Sequence, residues 1–205
     1  MKRATILVLV LFVAFAQGAW AEEVEASEAN MGNYLTFQAG MLYNILGNPY
    51  TQVALGYDFS LNPEFVVSAN LGMINQQNID EEFDDEDATG GKSTFAFGGI
   101  KFKALFGSFF LSNGYTYQTL INGYYITGDD DDYESLSRSD VPDALGVSLG
   151  VGYYSRVGDN LLLIPELSMN YNLPTSDGYE FDVSDLALGI SLGLGLDMRA
   201  AANTQ

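Results

Sequence analysis

The chain has 205 residues with a formal net charge of -19, no His, no Cys, and 22 Gly beside 13 Tyr and 13 Phe. The absence of Cys excludes a disulfide framework and thiolate metal sites. The acidic balance argues against nucleic acid as a partner, because phosphate binding needs basic surface.

Residues 1–21 read as a secretory signal peptide rather than as part of the fold. Lys2 and Arg3 form a positive start, Ile6 to Ala16 is an apolar run, and Ala19-Trp20-Ala21 is a small-x-small cleavage site before Glu22. Nothing later approaches the ~20 consecutive apolar residues of a spanning helix. Residues 22–32 are acidic and without period, as expected of a short solvated segment.

From there the residues alternate with the period of two that marks β-strands, and eight strands are predicted. The first, Asn33 to Asn44, sets Leu35, Phe37, Ala39, Met41 and Tyr43 against Thr36, Gln38, Gly40 and Asn44. The turn Leu46-Gly47-Asn48-Pro49 ends it. The second, Thr51 to Leu61, sets Val53, Leu55, Tyr57, Phe59 and Leu61 against Ala54, Gly56, Asp58 and Ser60. Asn62-Pro63 turns the chain into the third, Phe65 to Asn75, which leads to a long acidic loop, Gln76 to Gly91.

The fourth strand, Lys92 to Leu105, conflicts with itself. If Ile100, Phe102 and Ala104 face one way, Lys101 and Lys103 share the other side with Phe95 and Phe97, and a bulge near Gly98-Gly99 is expected to resolve this. The fifth, Phe109 to Ile126, is long enough to project beyond a membrane, and a second acidic loop, Thr127 to Asp140, follows. The sixth, Leu145 to Arg156, alternates Leu145, Val147, Leu149, Val151 and Tyr153 with Gly146, Ser148, Gly150 and Gly152. The seventh spans Leu161 to Leu173, with Glu166, Ser168, Asn170 and Asn172 on its polar face.

The last strand, Val183 to Asp197, decides the orientation of all the others. Leu186, Leu188, Ile190, Leu192, Leu194 and Leu196 occupy one face, and Ala187, Gly189, Ser191, Gly193, Gly195 and Asp197 the other. A soluble sheet would carry Lys, Glu and Thr on its polar face, whereas Gly, Ser and Ala suit a crowded interior. In a membrane barrel the large aliphatics stand outward against lipid and the small set fills a narrow lumen. The expected fold is therefore an all-β, eight-stranded antiparallel transmembrane β-barrel of up-and-down topology over residues 33–199, with a tail at 200–205.

The short connections after strands two, four and six and the longer ones after three, five and seven fit this topology. In its period-two strands and this rhythm the chain, over residues 33–197, resembles the small eight-stranded outer-membrane barrels of Gram-negative envelopes, the class of OmpA-, OmpX- and OmpW-like proteins. The resemblance is architectural. It implies an outer-membrane, porin-like cell-envelope protein, monomeric, among lipid and lipopolysaccharide, with a structural or surface-interaction role or, as the alternative, a narrow channel for small or hydrophobic solutes. Such chains commonly end on an aromatic residue, whereas here Met198-Arg199 leads into the tail. The lipid-modifying members rely on His beside Ser or Asp; with no His, no enzymatic activity, catalytic residue or cofactor is expected.

Three groups of residues remain. Phe109, Phe110, Tyr124, Tyr125, Tyr153 and Tyr154 lie near predicted strand ends, where an aromatic girdle would sit; ordinary β-propensity is the competing explanation. Asp80, Glu81, Glu82, Asp84, Asp85, Glu86 and Asp87 in one loop, and Asp129, Asp130, Asp131 and Asp132 in another, are hard oxygen ligands that could take a divalent cation. They lack the spacing and Gly of a calcium loop, which favours a solvated run of like charges. Asp58, Lys101, Lys103, Arg156, Glu166 and Asp197 fall on lumen positions. Charges there must be paired or hydrated, so the preferred reading is a structural network that plugs the barrel. The alternative is a gate in which Glu166 and Lys101 part to admit a solute.

Overall fold

The computed structural model describes residues 33–44, 49–77, 88–127, 132–136, 141, 143–158, 160–175 and 186–198. The expected signal peptide, the acidic segment at 22–32 and the tail at 200–205 lie outside the described residues, as do Asp80, Glu81, Glu82, Asp84, Asp85, Glu86, Asp87, Asp129, Asp130 and Asp131.

The described strands are β1 (Tyr34–Asn44), β2 (Pro49–Asn62), β3 (Phe65–Gln77), β4 (Ala88–Phe106), β5 (Phe109–Thr127), β6 (Asp132–Ser135), β7 (Ala144–Tyr153), β8 (Ser155–Arg156), β9 (Leu161–Pro174) and β10 (Leu186–Asp197). Every pairing is antiparallel. β1 pairs with β10 from Tyr34↔Asp197 to Asn44↔Ala187, which closes the sheet on itself. Eight staves form the wall, because β8 continues β7 past a break at Tyr154 and β6 stands off the main path on β5. Closure leaves the wall no free edge, which is what a sheet surrounded by hydrocarbon requires.

The wall is built inside out relative to a soluble protein. On β10, Leu188, Leu192 and Leu196 are 58%, 50% and 52% exposed, whereas Ala187 on the opposite face is buried. Leu55, Leu71, Ile100, Leu111 and Leu149 continue the exposed apolar face around the barrel. The orientation expected from the last strand is the one observed.

Tight turns at Pro63-Glu64 and Gly107-Ser108 close one end. Gly107, at φ 64°, supplies the left-handed backbone that a two-residue hairpin demands.

Four expectations are corrected. No bulge interrupts β4 at Gly98-Gly99: the β3 to β4 register runs unbroken from Phe65↔Ala104 to Gln77↔Lys92, and Phe95 and Phe97 share the interior with Lys101 and Lys103. The β4 to β5 register shifts elsewhere: between Ala88 and Gly90 near the start of β4, and on β5, where Leu120 faces Phe95 and Asn122 faces Thr94, so that Ile121 is the extra residue. It shifts the inward set from even to odd numbers, and an exposed Ile121 is the result.

The segment after β5 is not wholly loop. β7 stops pairing with β5 at Gln118↔Ala144, and β6 takes the free edge above it from Tyr124↔Ser135 to Thr127↔Asp132. Backbone donors left open on a projecting strand recruit the nearest chain, despite its charge. Of the proposed aromatic girdle, Phe110 and Tyr154 belong inside the barrel, where both are buried. Phe109 and Tyr153 remain as an edge-to-face pair with centroids 4.8 Å apart. Arg156 is exposed and stands outside the lumen charges, because the break at Tyr154 ends the regular alternation before it is reached.

Candidate functional site

The lumen is stratified. At the end with the tight turns, Tyr34, Val66, Leu105, Phe110, Tyr154, Leu162 and Ile164 form one buried cluster, in which Phe110 is 0% exposed. Its ring has space because the facing stave carries glycine. A Cβ at Gly152 would collide with the Phe110 ring and lie 2.8 Å from the Pro165 carbonyl oxygen.

Into this apolar layer the barrel sets an ion pair. Lys103 Nζ donates to Asp58 Oδ2 at 2.7 Å and to the Tyr154 hydroxyl at 2.9 Å, and that hydroxyl donates in turn to Asp58 Oδ2 at 2.9 Å. The ammonium also lies 5.2 Å from the Phe110 ring centroid and 5.3 Å from that of Tyr154, within cation–π range. Ser68 stands directly across from Asp58 in the β2 to β3 register and is buried with it. Removing two charges from water costs several kcal/mol per ion, on the order recovered only when geometry and further hydrogen bonds are good.

One layer higher, the Glu166 side chain on β9 is buried, at 3% exposure. Lys101 donates to its two oxygens at 2.9 and 2.8 Å, Ser112 to Oε1 at 2.8 Å, and Gln38 to Oε2 at 3.3 Å. Gln38 also donates to Ser191 at 2.5 Å. One carboxylate thereby ties β1, β4, β5 and β9 together across the lumen, with β10 joined through Ser191.

Above the Lys101 and Glu166 floor lies a cavity of about 340 Å³, extending toward the end with the long connections. Its lining combines aromatic rings with amide side chains. Staves β2 to β4 contribute Tyr50, Ala54, Ile74, Phe95 and Phe97 together with the polar Gln52, Asn70, Gln76 and Ser93, and β5 and β9 contribute Gln118, Ser168, Asn170 and Asn172.

Of the six lumen charges read from the sequence, the structure brings Asp58 to Lys103 and Lys101 to Glu166 as two separate ion pairs. Asp197 is half-buried at the barrel end, its backbone N–H donating to the Asn160 carbonyl at 3.0 Å. Ser112 escapes the sequence reading, Gln38 falls on the inner face there without a role, and Phe110 and Tyr154 are assigned to the aromatic girdle instead of the plug. The aromatic ones could have been found by asking which glycine stands across from a ring: Gly152 for Phe110, and Gly72 for Phe97.

No family model matches the sequence, and no curated protein matches it. Solved structures do match in fold. A major outer membrane protein from Thermus thermophilus shares 16% identity at a TM-score of 0.53, over 80% of this chain and 98% of that one. Ail, the attachment invasion locus protein of Yersinia pestis, shares 11% at 0.46, over 80% of this chain and 97% of that one. The N-terminal β-barrel domain of Pseudomonas aeruginosa OprF shares 12% at 0.42, over 80% and 97%. With its closed eight-stave wall and outward aliphatic face, the chain has the fold of the small outer-membrane β-barrels.

Proposed function

We propose that this chain is an outer-membrane protein, exported by the leader at 1–21, whose barrel is sealed to solutes. It acts as a monomeric structural anchor presenting its long acidic connections to surface ligands, among lipid and lipopolysaccharide. The observation that carries this reading is the double closure of the lumen at the tight-turn end. The Glu166 layer spans the bore, and beneath it Phe110 and the Asp58, Lys103 and Tyr154 group fill what is left. A channel would need both layers to open.

Planar-bilayer recording of the refolded full chain tests the seal. The expected result is silence in the wild type and equally in Glu166→Gln and Lys101→Met, because the lower layer stays closed when the upper ion pair is lost. Discrete conductance steps in the wild type would overturn the sealed reading in favour of the narrow channel.

A further inference from the structure

We propose that the upper lumen is a binding pocket for an uncharged, polyhydroxylated ligand of mono- to disaccharide size, entering from the end with the long connections. This goes beyond an anchoring role, and binding can be measured whether or not the barrel conducts.

Charge is the first discriminator. Among the described residues, Lys101 and Glu166 are the charged ones lining the cavity, and they are committed to each other at 2.8 Å. A phosphate, carboxylate or ammonium ligand would shed its hydration without finding an unpaired counter-charge, a cost that burial makes severe. A neutral ligand incurs no such penalty.

The combination of rings and amides is the second. Tyr50, Phe95 and Phe97 offer aromatic surface, and amides line both sides of the cavity, Gln52, Asn70 and Gln76 on the staves that carry the rings and Gln118, Asn170 and Asn172 on β5 and β9. Each amide both donates and accepts, as does each hydroxyl of a sugar, so the two match without regard to proton position. A pyranose ring also carries an apolar C–H face beside its equatorial hydroxyls, and that face fits the aromatic surface. A purely apolar ligand would instead cut these buried and half-buried amides off from water and leave their remaining donors and acceptors unsatisfied, at about 1–3 kcal/mol each.

Pre-organisation is the third. Gln118 Nε2 donates to Asn172 Oδ1 at 2.8 Å, and Asn170 Nδ2 to Ser168 Oγ at 2.9 Å, which fixes amide orientations before any ligand arrives. The cavity, at about 340 Å³, lies at the small end of the ~300–1,000 Å³ range of ligand pockets and holds roughly one or two hexose rings.

The test is titration calorimetry of the full chain, refolded in a detergent without a sugar headgroup, with glucose and maltose as probes and glucose 6-phosphate and 1-octanol as comparisons. Saturable binding of glucose or maltose is expected, with the phosphate and the alcohol weaker. About a tenfold loss of affinity is expected in Asn172→Leu and again in Tyr50→Ala, each shown by circular dichroism to retain the barrel. Tyr50 stands apart from the amide pairs, so it tests the pocket independently if Asn172→Leu fails to fold. Three results would overturn the proposal: no saturable heat with either sugar up to roughly 100 mM, far above a Kd of about 1 mM; tighter binding of the alcohol or the phosphate; or sugar affinity unchanged in every variant that folds.

Discussion

Lys103 Nζ lies 2.7 Å from Asp58 Oδ2 at a depth where both side chains are almost wholly removed from solvent. Truncating the cation as Lys103→Met strands a buried carboxylate and is expected to cost about 3–5 kcal/mol. Converting both partners, Lys103→Met with Asp58→Leu, should recover most of that loss. Urea unfolding of the barrel in lipid vesicles measures both; a loss below about 1 kcal/mol in the single variant would show that water reaches Asp58.

Tyr154 offers a gentler perturbation of the same group. Tyr154→Phe keeps the ring against Phe110, at 4.9 Å between centroids, but removes the hydroxyl that bridges Lys103 and Asp58. The expected cost is about 1–3 kcal/mol, the range for leaving buried partners unsatisfied. Unchanged stability in the same unfolding assay would refute the bridging role.

Gly152→Leu drives a side chain into the space of the Phe110 ring and toward the backbone of Pro165. Overpacking of this kind costs about 1–3 kcal/mol. Gly98→Ala is the control, since its added Cβ meets only the end of the Leu71 side chain, at 3.2 Å. Equal unfolding midpoints for the two variants would mean that the plug is loosely packed.

The outward face makes a prediction that depends on depth. Leu71 is 72% exposed at the middle of β3, whereas Leu61 lies beside the tight turn at the end of β2. Leu71→Arg is expected to destabilise the inserted barrel by about 2–4 kcal/mol and Leu61→Arg by about 0–1 kcal/mol. Urea unfolding of the two variants from lipid vesicles makes the comparison, and a reversed order would contradict the membrane placement.

The staves themselves were legible because a period of two states directly which residues share a face. Leu188, Leu192 and Leu196 could be turned outward from the sequence alone, since only small residues accompanied them. What fills the interior was not legible in the same way. Phe97 and Phe110 fit inside only because Gly72 and Gly152, on neighbouring staves, leave room for their rings, and that match depends on inter-strand register. Register also decides which lysine meets which carboxylate. Lys101 and Lys103 both face inward from β4, yet they serve Glu166 and Asp58 respectively. The extra residue at Ile121 left no mark in composition, because a single insertion looks the same as a change of strand polarity.

The plug draws Tyr34 from the first strand, Val66, Leu105 and Phe110 from the middle ones, and Leu162 and Ile164 from the penultimate one. Leu105 and Phe110 face each other across one hairpin, but the cluster as a whole meets only when staves distant in sequence come together. Hairpins pair locally along most of the wall, so the closure of β1 on β10 and the assembly of this cluster are the steps that join distant parts of the chain. The zipping of the first strand onto the last and the packing of the interior are thereby linked, and a barrel open along that junction loses the place of Tyr34 in the plug and the tie from Gln38 to Glu166.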